Sequence, residues 1–439
     1  NSENYGVIET AIGFNPTRPV FDPEADSGFS EDFSSGLANP YLTAHTEKNI
    51  LTSLSVYTSG FAEVTFADWL KFRQNVGYGY NSYERNQYYN RWTGSGQAPT
   101  NGYGRKDDSA YEGLTTESLL TFNKTFGIHA VNAVVGMTYE KSMGKSKSMS
   151  SKNYPTDDTE DNNINAGIKD REISSGRWKS QLMSYLVRGN YNLRDKYLFT
   201  ASYRRDGSSR FALQNRWSNF YSGAIAWRLG EEAFIKNLNF RLSAGQTGNQ
   251  GISAYATRSR FTIQNYPFDG TQTSGMAEDR WGGPAAVDLK WETTNQYDLG
   301  LDVSFFNSRV NLTADYYYKK TTDLLQYRYI DASSGFSELA CNYGNVVNKG
   351  LELSGNFMPV KTSDWMWTLD ANISFNKNVI GGLNADQFSD VVWGMESMFL
   401  RRNGQPIGII YGYVEDGFYN NEAEVRADPY YKTQSDSKI

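Results

Sequence analysis

Between Leu289 and Leu325 the chain reads LKWETTNQYDLGLDVSFFNSRVNLTADYYYKKTTDLL, and its residues alternate strictly in character. Trp291, Thr293, Asn295, Tyr297, Leu299, Leu301, Val303 and Phe305 fall on one parity, while Glu292, Thr294, Gln296, Asp298, Gly300, Asp302 and Ser304 fall on the other. Successive strand side chains point to opposite faces, so one face from Tyr297 to Phe305 is apolar and the other carries acids, amides and hydroxyls. The chain turns at Asn307-Ser308 and returns with Val310, Leu312, Ala314, Tyr316 and Tyr318 opposed by Asn311, Thr313, Asp315, Tyr317 and Lys319. Strands of soluble sheets usually have about five or six residues, whereas a tilted strand of roughly nine to eleven crosses a bilayer. This hairpin is long enough to span a membrane.

Five more hairpins of this kind can be drawn. They run over residues 53–83, 114–139, 183–204, 220–245 and 347–375, with tight turns at Asp68-Trp69, Gly127 and Arg194-Asp195-Lys196. Between them lie long polar stretches, 84–113 and 142–180 among them. About twelve strands therefore alternate short turns with long connections, which is the asymmetry of outer-membrane barrels. The expected fold is all-β, a transmembrane antiparallel β-barrel, with a propeller or adhesin-like stack of soluble sheets as the alternative. Residues 1–50 hold Asn15-Pro16, Arg18-Pro19, Asp22-Pro23 and Asn39-Pro40 and read as a loop excursion.

Composition bears on this choice. Aromatic residues make up 15 % of the chain, yet mean hydropathy is −0.61 and no stretch approaches the roughly 18 apolar residues of a spanning helix. Strands that are apolar on one side only, with aromatic girdles at both interfaces, give that combination. The net charge of −6 with scattered basic residues argues against a nucleic-acid partner. Cys341 is the single cysteine, so no internal disulfide or cysteine metal cluster is available. No export signal is visible at Asn1.

Several stretches resemble the SusC/RagA-type TonB-dependent transporters of the Bacteroidetes outer membrane. They are Ala11–Pro23 (AIGFNPTRPVFDP), Tyr197–Phe211 (YLFTASYRRDGSSRF), Trp217–Phe234 (WSNFYSGAIAWRLGEEAF), Leu242–Ile252 (LSAGQTGNQGI), Leu289–Leu325, Asn342–Leu353 (NYGNVVNKGLEL) and Gly404–Glu424 (GQPIGIIYGYVEDGFYNNEAE). The series covers nearly the whole chain in order. The resemblance implies a barrel of about twenty-two strands, of which about twelve are present here, so the chain reads as an internal piece with the plug domain absent. It divides into residues 1–50, an extracellular loop region, and 51–439, a partial barrel with long extracellular loops.

By that resemblance the whole protein would be an importer of oligosaccharides or peptides rather than an enzyme. Its partners would be a SusD-like lipoprotein, the TonB-ExbB-ExbD complex, and outer-membrane lipid and lipopolysaccharide, with no cofactor. A passive porin and a surface glycan-binding adhesin are the alternatives. The loop aromatics Trp92, Tyr103, Trp281 and Trp393 are the substrate-contact candidates, planar apolar platforms of the kind sugar rings stack on. Packing between loops is the competing use for them.

Other residues point to architecture. In RRDGSSRF, Asp206-Gly207 is expected to turn, while Arg204, Arg205 and Arg210 pair with Asp206, with wall acids or with lipopolysaccharide phosphate. Gly344 and Gly350 suggest a bulge or a close approach. Glu292, Asp298, Asp302 and Asp315 are expected along a hydrated wall, paired with arginines rather than doing acid-base chemistry. His45 and His129 are too isolated for a metal site or triad. The run Asp157-Asp158-Thr159-Glu160-Asp161 lacks EF-hand spacing and reads as a solvated loop. Asn123, Asn311 and Asn372 match a glycosylation pattern by chance, since all lie at or in strands.

Overall fold

The computed structural model describes residues 7–30, 37–93, 96–229, 235–268, 271–279, 283–389, 399–412, 414–429 and 431. Its body is one antiparallel sheet. Five long strands come first: β1 (Lys48–Ala67), β2 (Leu70–Tyr89), β3 (Tyr103–Phe126), β4 (His129–Lys152) and β5 (Lys169–Leu193). Then follow β6 (Tyr197–Ser208), β7 (Trp217–Arg228), β8 (Ile235–Asn249) and a small separate hairpin, β9 (Phe261–Phe268) and β10 (Thr271–Glu278). The sheet resumes with β11 (Glu292–Phe305) and β12 (Val310–Thr322), leaves for the hairpin β13 (Leu325–Tyr329) and β14 (Glu338–Asn342), and continues with β15 (Asn345–Lys361) and β16 (Met366–Gly381). Among the described residues the sheet has twelve strands, each pairing with its neighbour in chain order once the two hairpins are set aside. A three-stranded patch, β17 (Gln387–Ser389), β18 (Phe399–Arg401) and β19 (Ile409–Ile410), follows. Ahead of β1 the described residues include two short helices, α1 (Val7–Gly13) and α2 (Pro40–Thr46), and α3 (Glu422–Ala427) lies beyond the sheet. No described helix is long and apolar enough to cross a membrane.

The register turns the sequence alternation into two walls. Tyr191, Phe199, Ile225, Leu242, Leu299, Tyr316, Leu351 and Phe375 are successive cross-strand partners from β5 to β16, an unbroken apolar row. One residue along, the row on the opposite face is Asn190, Thr200, Ala224, Ser243, Asp298, Tyr317, Gly350 and Asn376. Its members bond laterally: Thr200 donates to Asn190 at 2.9 Å, Ser243 to Asp298 at 2.9 Å, and Tyr317 to Asn376 at 3.1 Å. The apolar face leaves Leu299, Ile225 and Phe375 uncovered at 43, 48 and 57 %, an exposure that suits lipid and not water. Because a one-residue slip would exchange the two walls, the pattern fixes the register.

Tight turns close one end. Gly127 (φ 58°), Arg194-Asp195 (φ 57° and 54°) and Phe306-Asn307-Ser308 (φ 53°, 55° and 59°) sit in the left-handed region that hairpin turns require. The long connections all lie at the other end.

The structure extends the sheet beyond the sequence expectation. Residues 84–89, 103–113, 142–152 and 169–180, read as polar connections, are the upper halves of β2 to β5. The 25 residues of β5 reach about 85 Å along the strand, far more than a bilayer needs. Above the lipid both faces are wet, so apolar alternation disappears while backbone pairing continues. Asp206-Gly207 is likewise no turn, because β6 runs on to Ser208 and the chain bends at Ser209-Arg210.

Candidate functional site

Two constructions hold the strand ends that carry the long connections, and a third lies along the polar wall nearer the tight turns. The first folds residues 153–168 onto β1 to β4. Asp161, its side chain 3 % exposed, sits between the ammonium groups of Lys48 at 2.6 Å and Lys106 at 3.1 Å. Burial alone would raise its carboxyl, but the two lysines hold it below the usual range. Asp157 accepts from the Tyr88 hydroxyl at 2.7 Å and from Arg91 Nε at 2.8 Å. Burial and the Asp157 carboxylate push the Tyr88 phenol up. The acidic run is therefore not a solvated loop but a clamp: Asp161 is buried between lysines of β1 and β3, and the half-buried Asp157 pairs with Arg91 of the β2–β3 connection. Among the described residues no group of acids, histidines or cysteines is arranged to hold a metal.

Beside the clamp, Glu47 precedes β1 and is pushed up to about 7 by burial, partly offset by a hydrogen bond with Thr93. The second construction is an apolar nest. Trp291 packs on Phe211 and Phe220 with ring centroids at 5.2 and 5.7 Å, and its Nε1 donates to the Arg216 carbonyl at 3.0 Å. Ile252, Leu289 and Ala340 complete it. The RRDGSSRF motif feeds this nest. Arg204 Nε spans both Asp206 oxygens at 2.7 and 2.9 Å, Arg205 lies 5.4 Å over the Trp217 ring, and Arg210 donates to the Ile252 carbonyl at 2.6 Å. The salt-bridged strand end expected from the sequence is present.

The third construction is the polar wall itself. Arg241 on β8 donates to Asp302 through Nε at 2.8 Å and through its second nitrogen at 3.0 Å, and to Asp315 at 2.9 Å. Gly300 lies between them in register, and a Cβ there would stand 2.4 Å from the Asp315 oxygen and 2.7 Å from the guanidinium carbon. Its bare backbone makes the room in which the triad forms. Glu292 accepts from the Leu325 amide at 3.0 Å, and Asp298 from Ser243 and Gln296. Asp302 and Asp315 are paired with an arginine as expected, whereas Glu292 and Asp298 accept from neutral donors. Gly350 also fulfils its expected close approach, with the Phe375 carbonyl 2.5 Å from where a Cβ would be.

Of the substrate-contact candidates, Tyr103 opens β3 and stacks on Tyr89 at 6.1 Å and 21°. Trp92 lies half-buried in the β2–β3 connection, where its amide is bonded to Asn90 and its carbonyl to Gln97. Trp281 and Trp393 lie outside the described residues. A cleft of about 490 Å³ opens between the β13–β14 hairpin and the segment after β16, lined by Tyr327, Arg328, Tyr329, Tyr343, Asn384–Phe388 and Arg401. Arg328 lies 5.4 Å over the Tyr343 ring. This group is not among the residues that the sequence pattern singles out. Its one signal was the aromatic-cationic string Tyr327-Arg328-Tyr329 placed in a long connection. Aromatic faces beside guanidinium groups can hold a polar oligomer by stacking and charge-assisted hydrogen bonds. His129 bonds to Tyr191 at 2.6 Å and His45 to the Tyr41 carbonyl at 2.8 Å, and neither joins a catalytic arrangement.

Comparison with known proteins agrees with this architecture. A family model described as "TonB dependent receptor-like, beta-barrel" matches residues 4–428. TonB-dependent receptor P3 of Formosa agariphila is 33 % identical over 429 residues, covering 94 % of this chain and 42 % of that protein. TonB-dependent receptor SusC of Bacteroides thetaiotaomicron is 35 % identical over 262 residues, covering 57 % of this chain and 26 % of its own length. A solved structure described as the RagAB peptide transporter superposes with a TM-score of 0.76 at 22 % identity, covering 88 % of this chain and 43 % of that one. The chain spans less than half the length of these relatives.

Proposed function

The chain belongs to the TonB dependent receptor-like β-barrel family of the outer membrane, and from that premise we propose that it supplies barrel wall and extracellular rim to an importer of nutrient oligomers. The observation that carries this reading is the division of one sheet into an apolar wall and a charge-paired polar wall, topped by rigidly pinned strand ends. Residues 51–439 form the wall and 1–50 an extracellular segment. The passage is energised by the TonB-ExbB-ExbD complex and capped outside by a SusD-like lipoprotein. The substrate is an oligosaccharide or a peptide. Tyr327, Tyr329, Tyr343 and Arg401 contact it first, and Trp92, Tyr103, Trp281 and Trp393 serve as further aromatic contacts. No catalysis is involved.

Uptake of labelled oligosaccharide and peptide pools by cells carrying the whole transporter tests this reading. Accumulation of one pool that stops when TonB is removed supports it. Accumulation that continues without TonB would indicate a passive channel, and surface binding without accumulation an adhesin.

A further inference from the structure

On the outward wall, β15 and β16 place Lys349 directly opposite Lys377, and β12 places Lys320 diagonally beside Lys349, across from Val347. All three side chains are exposed. Like charges directly opposed across two strands destabilise a sheet, and among the described residues no carboxylate lies within ion-pairing distance of any of the three. The neighbours on that face are Tyr297 and Tyr318, with ring centroids 6.4 Å apart, and below them the apolar pair Leu351 and Phe375.

The height of the cluster is informative. Trp367 marks the lower edge of the apolar face of β16, ten residues before Lys377. Ten residues rise about 34 Å along a strand, or about 26 Å along the bilayer normal at a tilt of about 40°. An outward apolar band is about 25 Å tall, so the three ammonium groups stand at the level of the outer-leaflet headgroups. Lysines and tyrosines there keep their stems in the apolar margin and their polar ends at the interface.

We propose that Lys320, Lys349 and Lys377 form a binding site for the phosphate group of an outer-leaflet glycolipid, with Tyr297 and Tyr318 packing against its apolar part. The phosphate supplies the negative charge the sheet lacks at this point, and offsets the repulsion between Lys349 and Lys377. The inference rests on the outer-membrane placement of the barrel and does not depend on which substrate is transported.

The test uses the intact transporter in detergent micelles and measures retained lipid A by native mass spectrometry, comparing phosphorylated lipid with the same lipid after phosphatase treatment. The K320Q/K349Q/K377Q variant should retain phosphorylated lipid more weakly by about fivefold per lysine removed, given the usual strength of a surface lysine toward anionic lipid. Lys319→Gln, on the opposite wall, should leave retention unchanged, and both variants should keep the heat-modifiable electrophoretic shift of a folded barrel. Equal retention of the two lipids, or an unaffected triple variant, would overturn the proposal.

Discussion

Replacing Asp161 with Asn should loosen one extracellular segment while leaving the membrane wall intact. The carboxylate is 3 % exposed and bridges Lys48 and Lys106, whose side chains are 27 and 31 % exposed. Breaking a fully buried pair from one side costs about 3–5 kcal/mol, because the partner charge is left uncompensated. Here the lysines reach water, and Glu160 remains 3.2 Å from Lys48, so the cost falls to about 2–3 kcal/mol. At 1.36 kcal/mol per decade, the population of opened 153–168 segment rises about 30- to 160-fold. Hydrogen exchange of amides 153–168 in the detergent-solubilised protein reads this directly. Asp158→Asn is the control, since Asp158 is exposed and bonded to the neighbouring Thr156 hydroxyl. Equal exchange rates in the two variants would refute the clamp.

Glu47 gives a pH prediction. A carboxyl whose folded pKa stands above its ordinary value contributes stability that is fully present below about 4.5 and is lost as pH rises through about 7, at most about 3 kcal/mol of local stability. Exchange at Tyr89–Thr93, corrected for intrinsic rates, should accelerate over that range in the wild type and not in Glu47→Gln. Trp291→Ala should open the apolar nest at a cost of about 3–5 kcal/mol, seen as protease cleavage near Phe211 and Ile252 on intact cells with the barrel still folded. Gly350→Leu should lower the heat-modifiable fraction, because the added side chain meets the Phe375 carbonyl, whereas Gly60→Ala, with open space around Gly60, should not.

The membrane-crossing half of the fold was legible because lipid outside and water inside impose opposite demands on successive residues, as Tyr297 to Phe305 show. That contrast ends where the strands rise above the bilayer. Lys141–Lys152 still pairs with Lys169–Gln181 at its extracellular end, but both its faces meet water and the sequence reads as loop. The wall carboxylates were legible by position, and Arg241, the partner of Asp302 and Asp315 from another hairpin, was not. The clamp was hidden for the same reason: Asp161 and its neighbour Glu160 meet Lys48, the latter across 112 residues of sequence, a closure that no local pattern encodes. Tyr327 and Arg328 were visible as a string, but the cleft they share with Phe388 and Arg401 depends on how two connections meet.

The central claim is that the two faces of one sheet meet different media. Spin labels on a Cys341→Ser background, introduced by Leu299→Cys and Leu351→Cys on one wall and by Asp298→Cys and Asn376→Cys on the other, test it in bilayers. The account predicts that relaxation by oxygen exceeds relaxation by an aqueous nickel complex at the two leucine positions, and that this preference is absent at the other two. The same preference at all four positions, or its reversal between the walls, would contradict it.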